Sequence, residues 1–452
     1  MINPNKNTTI NKIIAEFETH LPYNQILNNH EKEQITIDGT MPSIVIYPTN
    51  HSQIQLILEI AKKNNLGIIP FGGQTKINLG NIPKKFDIAL STKHLNSIIN
   101  HQQFDLTTTV EAGITLLKLQ KFLEKFGQYL PVSSPEPEKA TIGGILSTYP
   151  LGLNTSNIGL PRDWLLGIKV ALSSGEIIKG GGQVVKNVTG YDMPKLFSGS
   201  LGTIGIILEA TFKLTPIKIN PEYLLYSYGS IEKTLEIIEQ FKNLDFVPDT
   251  VTVFDSCLLH LPAKQRSSTP KNNYLIFCKI TGLKNTNKRK IKQLQNILNQ
   301  QGQLTNLENS QLSFIEQNLI NYTWNTKKEL IILKINFPIT TLRKLINYSL
   351  IFEKNDINKQ MILDPLSGIM YLSLEFKQNE TNKNLLYQLL NEFRKHIVSI
   401  GGFSVIQSCD ISIKRKIDVW EKSQNNFFLM ETIKRKFDPN GILNKGRFID
   451  KL

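Results

Sequence analysis

A glycine turn, Pro70-Phe-Gly-Gly-Gln-Thr-Lys-Ile-Asn-Leu-Gly80, directly follows the short apolar run of residues 67–71. Upstream, residues 44–47 have the pattern of a strand, and residues 51–64 place apolar side chains at helical spacing behind a good N-cap. The order strand, helix, strand and glycine turn predicts a βαβ-like unit. At the end of such a strand, backbone N–H groups can converge on a phosphate. The turn is neither a P-loop nor a G-x-G-x-x-G dinucleotide motif.

A second glycine-rich region, residues 131–215, alternates tight turns with apolar strand-like segments. Because glycine lets backbone approach another group closely, repeated turns of this kind suit a chain wrapped around a large flat ligand with phosphates. A β-rich domain with tight corners is the alternative interpretation of the same pattern. The turns are Thr141-Ile-Gly-Gly-Ile-Leu-Ser-Thr148, Gly159-Leu-Pro-Arg-Asp-Trp-Leu-Leu-Gly167, Gly180-Gly-Gly-Gln-Val-Val-Lys-Asn-Val-Thr-Gly-Tyr-Asp192 and Gly199-Ser-Leu-Gly-Thr-Ile-Gly-Ile206.

The composition of the 452 residues is that of a globular protein of about two or three domains. The net charge of +14 invites a nucleic-acid interpretation, but the lysines are spread along the chain and the basic clusters lack interleaved aromatics. We therefore predict no nucleic-acid partner. The three scattered cysteines form no zinc or iron–sulfur pattern, so we predict no metal. Neither a signal peptide nor a membrane span is predicted, and we expect a soluble intracellular protein whose membrane contact would be peripheral.

Beyond Pro216 glycine becomes rarer, and strands alternate with segments of helical periodicity. This β-α-β rhythm predicts an α+β sheet domain with helices on one face, built as a duplicated ferredoxin-like unit. A final helix is predicted over residues 419–437, ended by Asp438-Pro-Asn-Gly441.

In combination, three of these segments resemble the FAD-binding domain of the vanillyl-alcohol oxidase family, also called the PCMH-type FAD domain. They are residues 70–75, residues 140–144 and residues 199–214. Within that family the chain most resembles the E subunits of glycolate oxidases. That likeness rests on residues 162–167, residues 181–192 and the C-terminal Phe437-Asp-Pro-Asn-Gly-Ile-Leu-Asn-Lys-Gly-Arg447.

The resemblance implies an α+β fold in which a PCMH-type FAD-binding domain of two α/β subdomains is followed by an α+β cap domain and a C-terminal helical segment. The expected divisions are an N-terminal helical segment (1–39), the FAD domain (40–218), the cap (219–410) and a helical segment that returns to the FAD domain (411–452). Backbone at residues 72–75 would hold the pyrophosphate, residues 141–144 would run along the flavin, and Ile206 with Ile207 would contact the adenine side. The full set of expected FAD contacts is Phe71, Gly72, Gly73, Gln74, Thr75, Pro135, Thr141, Gly143, Gly144, Thr148, Gly205, Ile206 and Ile207.

The catalytic residues are not identified by this resemblance, and three candidates remain. Lys186 and Tyr191 belong to a stretch that lies near the flavin in the family, where they could orient a carboxylate or polarise the ring. The alternative is a structural turn in which Asn187 and Asp192 bond their own backbone. Arg162 could bind a substrate carboxylate with two hydrogen bonds, or pair with Asp163.

Two departures from the family pattern limit the expected chemistry. Family members that attach FAD covalently use a histidine at the glycine turn or a cysteine. Here the turn carries Gln74 and no cysteine precedes Cys257, so we predict non-covalent FAD. The 2-hydroxyacid dehydrogenases of the family carry a histidine-rich cap strand, whereas residues 364–375 contain no histidine. A base of near-neutral pKa is therefore missing from the expected place.

These features together predict an FAD-binding subunit of a glycolate (2-hydroxy acid) oxidase or dehydrogenase complex. Its expected partners are a D-type flavin subunit, an F-type iron–sulfur subunit and a small 2-hydroxy acid. A non-catalytic assembly subunit and a stand-alone flavin oxidase of another alcohol or acid are the alternatives. The expected compartment is a bacterial cytoplasm, or a plastid stroma for an organelle-encoded chain.

Overall fold

The computed structural model describes residues 4–27, 35–149, 158–182, 191–259, 273–305, 307–324, 330–376, 380–421 and 426–452. Sheets of four, five and eight strands, together with one pair of short strands, organise these residues. None of the helices in the described ranges combines the length and hydropathy of a bilayer-spanning segment.

The first sheet contains the predicted βαβ unit. Its strand order is β1-β2-β4-β3, and β2, β4 and β3 run parallel. The strands are rich in isoleucine and mostly buried, as expected of a parallel sheet covered on both faces. Its elements are α1 (Pro4–Glu18), β1 (Ile26–Leu27), β2 (Ile44–Ile46), α2 (His51–Lys63), β3 (Ile68–Phe71) and β4 (Ile88–Ser91).

The second sheet is antiparallel, in the order β5-β6-β10-β8-β9, and a short pair, β7 with β11, lies apart from it. Residues 141–148, which the sequence indicates as a glycine turn, form a helix. Thr141 caps this helix, since its hydroxyl accepts a hydrogen bond from the N–H of Gly144. The elements are β5 (Ile98–Gln102), β6 (Thr107–Glu111), α3 (Leu116–Glu124), β7 (Gln128–Tyr129), α4 (Ile142–Thr148), β8 (Leu165–Ala171), β9 (Ile177–Gly181), α5 (Met193–Phe197), β10 (Ile206–Lys213) and β11 (Thr215–Pro216).

The cap is one antiparallel sheet of eight strands in the order β15-β12-β14-β13-β17-β18-β16-β19. Each half has the element order β-α-β-β-α-β, and the halves join through β13 and β17, so the cap is the predicted duplicated ferredoxin-like unit. The elements are β12 (Glu222–Tyr228), α6 (Ile231–Gln240), β13 (Thr250–Asp255), β14 (Tyr274–Ile280), α7 (Lys284–Leu298), β15 (Gln303–Leu304), α8 (Asn309–Tyr322), β16 (Leu330–Asn336), α9 (Leu342–Glu353), β17 (Asn358–Asp364), β18 (Ile369–Glu375), α10 (Glu380–Ser399) and β19 (Phe403–Ser408).

The two faces of the cap sheet have different surroundings. Ile331, Leu333 and Ile335 of β16 lie on the face that packs with residues of α6, α7, α9 and α10. Leu330 and Ile332 lie on the opposite face and pack with residues of α8, so the prediction of helices on one face only is wrong. Because side chains alternate along a strand, Lys334 shares this second face.

The C-terminal region contains α11 (Ile411–Lys414) and α12 (Phe427–Phe437). Helix α12 begins later than the sequence predicts, because Val419 and Trp420 instead lie against β19. After α12 the chain returns to the first sheet, where Leu443 bridges to Ile68. The tail thus packs against the domain that contains the glycine turn.

Candidate functional site

An open cleft lies in the first domain. Four segments of chain supply most of its wall. They are the turn after β3 (residues 70–77), helix α4 (141–148), the entry to β10 (201–207), and the C-terminal pair Asn444 and Arg447.

The turn after β3 presents a row of unpaired hydrogen-bond donors. Within the described part of the chain, the backbone N–H groups of residues 72–76 make no hydrogen bond. Gln74 adopts a left-handed conformation (φ 60°), which turns successive N–H groups toward one side. Such a nest suits an anion, because an unpaired donor in a cleft is costly unless a ligand or water accepts from it.

The glycines of the cleft serve packing as well as access. A Cβ on Gly73 would lie 1.7 Å from the carbonyl oxygen of Lys139, and one on Gly72 would lie 2.1 Å from the hydroxyl of Thr141. Gly144 differs, since a Cβ there would meet only the Thr141 hydroxyl, at 3.2 Å. The close approach of residues 139–141 is therefore the main reason why the two positions of the turn must be glycine.

A buried ion pair fastens the C-terminal tail beneath the cleft. The Lys434 amine donates to the Asp438 carboxylate at 2.5 Å and to the carbonyls of Thr203 and Leu443. Asp438 in turn accepts from the N–H groups of Ile442 and Leu443. Burial lowers the pKa of Lys434, and Asp438 opposes that shift. This network connects α12 to the segment that leads into β10.

Asn444 and Arg447 complete the tail's contribution to the cleft wall. The Asn444 amide donates to the carbonyl of Leu201 at 2.5 Å, and the Arg447 guanidinium donates to Asn444 and to the carbonyls of Ile77 and Leu79. Burial lowers the pKa of Arg447 to about 10. These bonds give a structural role to the C-terminal motif that the sequence singles out.

Lys76 stands at the junction between the cleft and the cap. Its side chain lines the cleft, and its buried amine, which has no hydrogen-bond partner among the described residues, lies 4.5 Å from the ring centroid of Trp324. Burial lowers the pKa of Lys76 to about 7; the positive charge of Lys334 also lowers it, while Glu136 raises it.

The structure gathers nearly all of the expected FAD contacts at one place. Every one of them lines the cleft except Pro135, whose neighbour Ser134 does. Of the catalytic candidates, Arg162 is exposed with its nitrogen 4.0 Å from Asp163, and Tyr191 is 93% exposed; neither lines the cleft. Asp192 caps α5, as the structural alternative for this stretch predicts. Lys186 and Asn187 lie outside the described residues.

Lys76, Trp324 and Lys334 were not identified by the sequence reasoning. Lys334 did leave a signal, because it interrupts the apolar run Leu330-Ile-Ile-Leu-Lys-Ile335, in which a charged residue is unexpected. Lys76 lies inside the glycine turn, but only the fold reveals that its amine faces the cap.

A row of N–H groups that donate to nothing in the described part of the chain, in a cleft beside an antiparallel cap, is the arrangement expected of a protein that binds a cofactor carrying phosphate groups. Comparison with protein families makes this specific. Residues 42–181 match the family described as "FAD binding domain", and residues 412–448 match "FAD linked oxidases, C-terminal domain". The chain therefore contains a PCMH-type FAD-binding domain, and its cofactor is FAD.

Individual relatives agree with this assignment. The chain is 33% identical over 216 residues to the glycolate oxidase subunit GlcD of Bacillus subtilis, covering 48% of this chain and 46% of the relative. It is 26% identical over 430 residues to the mitochondrial D-2-hydroxyglutarate dehydrogenase of Arabidopsis thaliana, covering 89% of this chain and 74% of the relative. The chain spans about half the length of the first curated relatives it matches.

Solved structures show the same fold. The 4-ethylphenol oxidase of Gulosibacter chungangensis superposes with a TM-score of 0.73 at 15% identity, over 97% of this chain and 96% of that chain. The likeness therefore includes the cap, which the two family matches leave uncovered.

Proposed function

We propose that this chain is an FAD-dependent oxidoreductase subunit that acts on small 2-hydroxy acids within a glycolate oxidase complex. The observation that carries the proposal is the row of N–H groups at residues 72–76, which have no acceptor within the ranges that the structure describes, in a cleft that meets the cap at Lys76. A dianionic pyrophosphate needs several converging donors, and this row supplies them. Similarity to proteins named as glycolate, D-lactate and D-2-hydroxyglutarate enzymes supports the substrate class.

In this proposal the residues of the chain bind the cofactor and orient it. The backbone of residues 72–76 holds the pyrophosphate, and the apolar side chains of Ile145, Ile206 and Ile207 exclude water from the neighbouring wall. Oxidation of a 2-hydroxy acid to a 2-oxo acid removes a hydride from C2 and a proton from the hydroxyl group. When bound, FAD supplies the hydride acceptor. Gln74 at the turn offers no nucleophile for a covalent bond, so we propose that FAD is held non-covalently.

We further propose that the chain turns over only with its D-type flavin and F-type iron–sulfur partners. The histidine-free hairpin of β17 and β18 supports dependence on a partner, because no histidine base stands on that part of the cap. The same feature favours a second candidate, an assembly subunit that binds FAD without oxidising a substrate. The candidate catalytic residues Arg162, Lys186 and Tyr191 remain predictions.

Purification of the chain alone and with the two partner subunits tests the proposal. We expect a yellow protein whose flavin is released into the supernatant by acid precipitation. Under anaerobic conditions its absorbance near the flavin band should bleach with glycolate or D-lactate only when the partners are present. Bleaching of the isolated chain would support a stand-alone oxidase. A yellow complex in which only the partner's flavin is reduced would support the assembly role. A colourless chain that cannot be reconstituted with FAD would refute the proposal.

A further inference from the structure

Two buried lysines lie at the junction between the FAD domain and the cap. Lys76 comes from the glycine turn and Lys334 from strand β16, and each is only 9% exposed. Nothing described in the chain accepts a hydrogen bond from the Lys76 amine, and no ion pair to Lys334 occurs in the described ranges. Unpaired buried cations are rare, because removing a charge from water costs free energy that a partner normally offsets.

The cap sheet determines where the Lys334 side chain lies. Lys334 pairs directly with Val405 of β19, so both side chains are on the same face of the sheet. Val405 belongs to a small buried cluster with Leu79, Leu201 and Trp324, which joins the cap to the FAD domain. Since the Lys76 amine lies over the Trp324 ring, the two lysines approach this cluster from opposite domains.

We propose that Lys76 and Lys334 form a subsite for the carboxylate of a small organic acid, clamped between the FAD domain and the cap. The inference rests on the proposed function in that the acid is the substrate of the flavin site. The assignment to these two residues is separate, because Arg162, the carboxylate candidate predicted from the sequence, is exposed and is not among the residues that line the cleft.

The charges around the pair favour an anion. Burial lowers the pKa of each lysine to about 7, and their mutual repulsion adds to the effect at Lys76. Glu136 is the nearby carboxylate that acts on Lys76, and it pairs with exposed Lys139. Tyr371, the other cross-strand neighbour of Lys334, is neutral because burial and Asp364 raise its pKa. Arg447 adds a further cation to the cleft wall. A bound carboxylate would stabilise both ammonium groups and raise their pKa values.

This proton linkage gives a test that needs no turnover. The flavin-loaded full chain is titrated with oxalate by calorimetry, at pH 7.5 in two buffers of different protonation enthalpy, and then from pH 6.5 to 8.5. We expect proton uptake on binding. Because the free lysines lose their protons above pH 7, affinity should fall as pH rises, by up to about tenfold per pH unit for each lysine.

Substitution assigns the effect to the pair. K76M and K334M retain the length of the side chain but lack the amine, and each should weaken oxalate binding at least tenfold and reduce proton uptake. K93M, at an exposed lysine between β4 and β5, should change neither quantity. Flavin absorbance and melting temperature are recorded for every variant.

Three outcomes would overturn the subsite. The first is oxalate binding that K76M and K334M leave unchanged. The second is binding without proton uptake in the unsubstituted chain. The third is loss of flavin from K76M with oxalate affinity unaltered in K334M, which would assign Lys76 to the cofactor. Failure of the proposed function would instead appear as a chain without flavin, or as flavin that no 2-hydroxy acid reduces while oxalate still binds.

Discussion

Removal of the Asp438 carboxylate should strongly destabilise the FAD domain, and the fold supplies a control on the same helix. Lys434 and Asp438 form an i,i+4 pair at 2.5 Å whose side chains are 9% and 0% exposed. Arg435 and Glu431 form an i,i+4 pair at 2.9 Å whose side chains are 75% and 41% exposed. The two pairs therefore share spacing and charge type and differ in burial.

The expected magnitudes follow from that difference. D438A leaves the Lys434 ammonium buried with only two carbonyls, which costs about 3–5 kcal/mol for a buried pair that loses one partner. It also deprives the N–H groups of Ile442 and Leu443 of their acceptor, so the upper part of this range is expected. E431A breaks an exposed pair, which is worth about 0.5 kcal/mol or less.

Urea unfolding followed by tryptophan fluorescence measures both variants. The network holds the carbonyls of Thr203 and Leu443, so D438A should also weaken FAD retention, whereas E431A should retain the cofactor. Equal losses of stability in D438A and E431A would refute the reasoning. So would a D438A protein that keeps its stability and its flavin, since the tail would then not be fastened by this pair.

Three further predictions address the cleft, the buried lysine and the thiols. G73A should destabilise the chain and abolish flavin retention, because the added Cβ would overlap the Lys139 carbonyl. G144A should retain stability, because the Cβ added there would meet only the Thr141 hydroxyl. Unfolding curves and flavin absorbance of the two variants check this. The pKa of Lys76 is lowered from 10.5 to about 7, so between these pH values the unfolded chain binds more protons than the folded chain. The free energy of unfolding of the unsubstituted chain should therefore rise relative to that of K76M by about 1 kcal/mol per pH unit from pH 7 to 9. An equal pH dependence of the two unfolding free energies would contradict this. Burial raises the pKa of Cys257 to about 11 and that of Cys409 to about 12, so iodoacetamide at pH 8 should modify both slowly compared with free cysteine, as mass spectrometry can determine.

Local patterns were sufficient for most of the fold. The helix at residues 51–63 and the strand at 68–71 follow from apolar spacing, an asparagine cap and a glycine turn, all readable within one short stretch. The β-α-β rhythm beyond residue 216 likewise predicts the duplicated cap. Helix α4 was missed because its two glycines suggest a turn, while the cap hydroxyl of Thr141 and the packing of residues 142–146 favour a helix.

The candidate site was predictable to the extent that it is built from contiguous backbone. The glycine turn, helix α4 and the entry to β10 converge on one cleft, and each was marked by its own glycines. The tail contacts of Asn444 and Arg447 depend on a return of more than two hundred residues. The motif at residues 437–447 indicates that this segment has a defined structural role. Its partners at Leu201 and Ile77 could be identified only from the fold.

Lys76 illustrates why the remaining chemistry could not be predicted. In sequence it is a polar residue in a glycine turn that is predicted to bind phosphate, for which a solvated or phosphate-facing amine is the simplest expectation. In the fold it points across the domain junction to Trp324, where the approach of Lys334 depends on the register of β16 with β19. Two buried cations at one junction repel each other unless an anion joins them. A carboxylate bound at this junction would remove that repulsion, so the two charges that oppose each other in its absence would both favour its binding.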